Sequence, residues 1–282
     1  MNFRFWILDF RLRGSSLDVQ SKIQNRKSKI PQLVLGLIMW LVSVRPLAAQ
    51  QTVDHAPWDG LMRRYVKGGL VDYQGLQRER AVLDQYLAQL TGANPDALPS
   101  TQEKLAFWAN AYNACVVKGV LDHYPLTSVK DVKGFFDGVR FPAGGQSLTL
   151  NQLEAKGRAL GDWRIHFAVV CASSSCPILR AEAYVPERLE QQLTEQVGQF
   201  LRDPIRGLRV DEVKRMLWVS KIFKWYAKDF VRQGALTSET LLLVLHRYLD
   251  ASVLEEAQRR PLALNFLEYD WTLNDQARQT SP

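Results

Sequence analysis

"RIHFAVVCASSSCPIL", residues 164–179, decides how this chain is read. A charged entry leads into an apolar run, and two cysteines then bracket a polar turn. The run from Asp162 to Cys171 has the length and β-branched content of a strand. In a regular strand His166, Ala168 and Val170 share one face, while Phe167, Val169 and Cys171 share the other. His166 and Cys171 would then stand about 16 Å apart, at roughly 3.3 Å per residue. A simple Cys-His pair therefore requires the strand to break before Cys171, and His166 needs a partner from elsewhere. Asn113, Asp229 and Asp270 are the candidates.

Four residues separate Cys171 from Cys176, and a turn across them brings the two side chains within bonding range. Closing so small a loop would stabilise the fold by about 2 kcal/mol on the chain-entropy estimate. The sequence favours this disulfide over a reactive thiol, inert free thiols or a metal site. His166 with two cysteines makes three ligands, with no fourth at motif spacing, so no metal is expected. No cofactor motif is found either.

Outward from this stretch the chain is rich in helical periodicity. Residues 55–68 have helical spacing, and "VDYQGL" (71–76) is a short extended piece. Residues 76–90 form an amphipathic helix. Ser100 or Thr101 caps a long helix over 101–124, ended by Pro125. "VRFPAGGQSLTL" (139–150) is a hairpin around Gly144-Gly145, with Thr149 capping a helix over 150–160. A helix begins at Pro186, residues 208–220 form a hairpin, 221–234 and 236–251 are helices, and 262–271 is a final strand. This predicts a single helix-rich α+β domain with a small sheet, spanning about 52–276, and a short tail over 277–282.

The net charge of +7 suggests a polyanion partner until its distribution is examined. Residues 1–49 hold eight Lys/Arg against Asp9 and Asp18, so all but one of the positive excess sits there. A near-neutral body has no general electrostatic reason to bind nucleic acid. The leader has a basic flank, "RKSKI", an apolar core, "QLVLGLIMWLVSV", and small residues in "RPLAAQ", as secretory signals do. Cleavage is expected after Ala49, with the start codon in use downstream of Met1. The body is then periplasmic or secreted. The alternative is an inner-membrane protein held by an uncleaved signal anchor, its only membrane contact.

The long helix carries "AFWANAYNA". Asn110 and Asn113 share a face, and a buried amide needs partners. Either they pin a neighbouring loop's backbone, or Asn113 donates to developing negative charge in an active site. Cys115 is expected to be a small buried hydrophobe. Asp229 falls on the apolar stripe of Ile222, Trp225 and Tyr226. Asp270 falls on the face of Leu262, Leu264 and Phe266. Each is either one half of a structural ion pair or an orienter for His166.

Six motifs in order, "VDYQGL", "LAFWANAYNA", "SLTLNQLE", "RIHFAVVCASSSCP", "SKIFKWYAKDF" and "YDWTLND", resemble the family catalogued as domain of unknown function 547 over about 70–276. The resemblance implies that Asn113, Glu154, His166, Cys171, Cys176, Asp229 and Asp270 stand at signature positions. It departs at Ala109, where a larger aliphatic is usual, and at Ala155, where a His commonly follows the Glu. An Asn-bearing helix ahead of a His-bearing strand is also similar to papain-like and transglutaminase-like architectures, although in those the thiol opens the helix and here that position has none.

The expected function is an exported cell-envelope binding module for a peptide or small ligand, with a Cys171–Cys176 bridge near His166. Asn110, Glu154 and Arg164 would give polar support. The alternative is a thiol-dependent hydrolase or acyl transferase, with Cys171 or Cys176 attacking, His166 moving protons, Asp229 or Asp270 orienting it, and Asn113 donating.

Overall fold

A computed structural model describes residues 52–278; the leader, with its signal-peptide expectation, lies outside them. The described chain opens with α1 (Ala56–Tyr65), which has Pro57 in its first turn, where a missing N–H costs nothing. A two-residue turn then joins β1 (Val66–Lys67) to β2 (Leu70–Val71). Gly68 and Gly69 both have positive φ, the conformation that a tight hairpin of this length demands. The expected extension through Leu76 stops at Val71. The Asp72 carboxylate accepts from the Gly75 N–H and starts α2 (Tyr73–Arg78), followed by α3 (Arg80–Gly92).

Everything packs on α4 (Thr101–Leu121). Ser100 caps it in a reciprocal box with Glu103. Beyond its first turn every side chain except Lys118 is buried, as for a helix that is apolar all round. Burying a side chain such as Phe107 contributes about 1.5–3 kcal/mol, and it is fully enclosed. The hairpin of β3 (Arg140–Ala143) and β4 (Gln146–Thr149) follows, and Thr149 caps α5 (Leu150–Arg158).

The expected strand at 162–171 does not form. Residues Ile165–Ala168 are instead a single turn of helix, α6, followed by extended backbone. Among the described residues no strand pairs with this segment, and side-chain amides satisfy part of its backbone. Asn113 donates Nδ2 to the Ala168 carbonyl at 2.8 Å and accepts the Val170 N–H at 2.9 Å. Gln196 donates to the Phe167 carbonyl at 3.0 Å. Buried backbone groups must find partners, and here three come from amide side chains.

The chain continues through α7 (Leu189–Leu201), and the hairpin of β5 (Leu208–Asp211) and β6 (Met216–Val219). Next come α8 (Lys221–Trp225), α9 (Ala227–Phe230), α10 (Ser238–Leu245) and α11 (Ala251–Arg259). The last of these was not read from the sequence. β7 (Ala263–Phe266) lies parallel to β6 and completes a three-stranded sheet. It ends five residues earlier than expected, so Asp270 is not on a strand face at all.

The result is a helix-rich α+β domain with small sheets and two apolar cores. One surrounds α4, and the other joins α7, the three-stranded sheet and α8–α10. α6 lies on the seam: Ile165 and Ala168 belong to the first core, and Phe167 to the second.

Replacing Asn113 by Ala leaves the Ala168 carbonyl and the Val170 N–H buried without partners. Each such group costs about 1–3 kcal/mol. The expected outcome is a lower urea midpoint, equivalent to a loss of about 2–6 kcal/mol. An unchanged midpoint would show that the amide carries no weight.

Candidate functional site

The turn between the two cysteines is built by backbone strain and by its neighbours. Ala172 adopts φ +61°, a left-handed conformation unfavourable for a residue with a Cβ. The segment 270–274 holds it there. Asn274 N–H donates to the Ala172 carbonyl at 3.1 Å, Ser174 N–H to the Thr272 carbonyl at 2.8 Å, and Ser175 N–H to the Asp270 carbonyl at 3.1 Å. Ser175 Oγ accepts the Asp270 N–H at 2.8 Å. The turn is a fixed element of the fold rather than a loose loop.

It carries two thiols, and they are free. The sulfurs lie 2.9 Å apart, beyond the roughly 2.05 Å of a disulfide bond. The expected bridge is therefore corrected to a pair of thiols in direct contact. Cys176 Sγ accepts the Cys171 N–H at 3.0 Å. Cys171 Sγ also lies 3.0 Å from Ser173 Oγ and 3.3 Å from the Tyr269 hydroxyl. Burial pushes the Cys171 thiol up, but its hydrogen bonds with Cys176, Ser173 and Tyr269 outweigh it and bring the group below its ordinary range. Burial pushes Cys176 up, and so does its charged neighbour. Cys115 sits apart in the first core, raised by burial to about 12.

The second half of the site is His166, almost fully buried. Its Nε2 lies 2.8 Å from Asp229 Oδ2, and the same oxygen accepts from Arg158 Nε at 2.7 Å. Burial raises Asp229, but the bonds from Arg158 and His166 prevail and hold the carboxylate below its usual range. Burial lowers His166 to about 4, despite the opposing pull of Asp229. At neutral pH the imidazole is thus uncharged. An ionised Asp229 can only accept, so Nε2 carries the proton and Nδ1 keeps a lone pair. Among the described residues that Nδ1 has no hydrogen-bond partner, and neither has the buried Oε1 of Glu154, 3.9 Å away. Burial raises Glu154, with Tyr226 and Arg158 opposing. The Tyr226 ring lies against His166 at 4.1 Å between centroids, and the Arg158 guanidinium lies over the Tyr226 ring, 4.8 Å from its centroid.

Both halves open on one cavity of about 530 Å³, lined by His166, Glu154, Cys171, Cys176, Tyr226 and Tyr269 among others. The strand geometry that kept His166 and Cys171 on opposite faces is gone, because the chain turns at α6. One wall is the segment 129–137, and the other is the aromatic group Trp225, Tyr269 and Trp271, with neighbouring centroids 4.8–6.1 Å apart.

Other sequence candidates lie elsewhere. Asn113 does not line the cavity; both ends of its amide are committed to backbone, so it positions the site rather than donating within it. Asn110 does the same for Tyr184, at 2.8 and 2.9 Å. The exposed Asp270 caps the Thr272 N–H and does not touch His166. Arg164 is paired with Asp162 and Glu190, away from the cavity. Of the two acidic candidates Asp229 is the histidine's partner, and its arginine pair and its histidine contact share one oxygen.

Tyr226, Tyr269, Ser173 and Arg158 were not singled out from the sequence. Tyr226 was detectable, three residues before Asp229 on the same apolar stripe. Among the described residues no group of three or more His, Cys, Asp or Glu is arranged to hold a metal.

Residues 95–201 match the model of a family described as a protein of unknown function, DUF547. Over these residues the chain is similar to that family, and the matched stretch includes α4, α5, α6 and both cavity cysteines. No curated protein and no solved structure matches it.

The low value for His166 has a consequence for stability. Unfolded histidine titrates near 6.5, whereas the folded group does so at about 4. The resulting stabilisation is present above pH 6.5 and is lost as the pH falls towards 4. It amounts to about 2 kcal/mol between pH 7 and pH 5. His55, also lowered to about 4 by burial, adds its own loss. The test is therefore the difference between wild type and His166→Asn in urea unfolding. The variant should lose about 2 kcal/mol less over that interval; parallel losses would mean that His166 is not buried neutral.

Proposed function

We propose that the protein is a thiol-dependent hydrolase or acyl transferase, with Cys171 as the nucleophile and His166 as the proton carrier. The observation that carries this reading is the Cys171 thiol on the cavity wall, with three side-chain partners within 2.9–3.3 Å, in the same cavity as a neutral histidine. Hydrogen-bond donors around a sulfur favour its thiolate, which is the attacking form.

In this reading the thiol's proton reaches His166 Nδ1, which no cysteine sulfur contacts directly, through a water in the shared cavity, while Asp229 fixes the ring through Nε2–H and stabilises the charge that develops. The sulfur attacks the carbonyl carbon of an ester, thioester or amide. The carbonyl–leaving-group bond breaks, the leaving group takes the proton from His166, and an acyl thioester remains on Cys171. Water or a second nucleophile then attacks that thioester, returning the thiol and releasing the acyl group. Arg158 balances Asp229 and keeps it ionised.

The substrate is a small acyl compound or peptide that fits the cavity. The leader supports placing this activity outside the cytoplasm, in the periplasm or beyond.

Incubation with an activated aryl thioester should produce an acyl adduct on Cys171, located by peptide mass. Cys171→Ser should abolish it, and His166→Asn should slow acylation by about 10²- to 10⁴-fold. Failure of the wild type to acylate, with the cavity still binding the probe, would return the site to a purely binding role.

A further inference from the structure

One nucleophilic group in the cavity has no task in acyl transfer. Cys176 lies beside Cys171 on the cavity lining, 4% exposed, with its sulfur 2.9 Å from the other. Two sulfurs at that distance need to move together by under about 1 Å to bond. The turn that carries them is held by bonds to 270–274 that do not involve either sulfur. A bond between them therefore does not require those contacts to break. The two are also unequal. Cys171 is partly exposed on the cavity wall, where an electrophile reaches it first, whereas Cys176 is covered. The donors around Cys171 favour its ionised form, while Cys176 is held protonated until Cys171 is neutralised by a new bond.

We infer that the site also performs thiol–disulfide exchange on small organic disulfides, with Cys171 attacking and Cys176 resolving. This rests on the reading of Cys171 as the reactive thiol. In the first step the Cys171 thiolate attacks one sulfur of the substrate. The substrate S–S bond breaks, a mixed disulfide forms on Cys171, and the first substrate thiol leaves with the proton that Cys171 gave up. In the second, Cys176 loses its proton and attacks Cys171 Sγ. The mixed disulfide breaks, and the second substrate thiol leaves with that proton. Two electrons pass from the protein dithiol to the substrate, and the protein ends with a Cys171–Cys176 bond. A structural bridge would be present from folding onward; this one forms only in turnover.

The test uses the purified, reduced protein and bis(2-hydroxyethyl) disulfide, followed by intact mass and by release of mercaptoethanol. Wild type should release two thiols per protein and lose two hydrogens, with no hydroxyethyl group retained. Cys176→Ser should release one and keep the hydroxyethyl group on Cys171. Cys171→Ser should release none. A wild type that retains the mixed disulfide, or a Cys171→Ser variant modified at Cys176, would overturn the inference. Iodoacetamide separates the two readings. If Cys171 alkylates rapidly but does not exchange, only the exchange activity fails. If it does neither, the reading of Cys171 as a reactive thiol falls with it.

Discussion

The arrangement depends on one side-chain amide. Asn113, buried in α4, holds the Ala168 carbonyl with one end and the Val170 N–H with the other. Those two bonds do the work a neighbouring strand would otherwise do, and they let the chain leave a single helical turn and run extended. The turn puts His166 towards α5 and α9, while the exit carries Cys171 and Cys176 to the 270–274 segment. A continuous strand would have separated the histidine from the cysteine; the break lets both line one cavity.

The position of that break on the seam between two apolar cores explains how charged chemistry survives there. His166 is enclosed by Tyr226 and Phe230 from the second core, yet it must be oriented. Asp229 supplies this from α9, and Arg158 from α5 neutralises the cost of holding a carboxylate beside a buried ring. An unpaired carboxylate there would be expensive. The arginine is therefore part of the histidine's environment, although the carboxylate it pairs with is 71 residues away in sequence.

Much of this was legible in the sequence. The caps at Ser100 and Thr149, the Gly144-Gly145 hairpin and the α+β class follow from local chemistry, which acts over a few residues. Asp229 stood out because a carboxylate on an apolar stripe demands a partner. The strand at 162–171 was misread because its apolar, β-branched run satisfies the strand pattern, while the deciding partners, Asn113 and Gln196, lie 29 or more residues from the groups they bond. Asp270 was misplaced for a related reason: β7 ends at Phe266, and nothing in "LEYDW" signals the stop. Tyr269, which touches the Cys171 sulfur, is visible only once that irregular segment is folded over the cysteine turn. The bridge between the cysteines was expected from their spacing, which fixes proximity but not oxidation state.

The chemistry of the cavity turns on whether Cys171 is a free thiol made acidic by its neighbours. The most direct measurement is the rate of iodoacetamide labelling at Cys171 as a function of pH, read by peptide mass on the folded protein. The account predicts a rate that rises with a midpoint below the roughly 8.5 of an ordinary cysteine, with Cys115 unlabelled throughout. A midpoint at or above that value, or protection of Cys171 equal to that of Cys115, would contradict it.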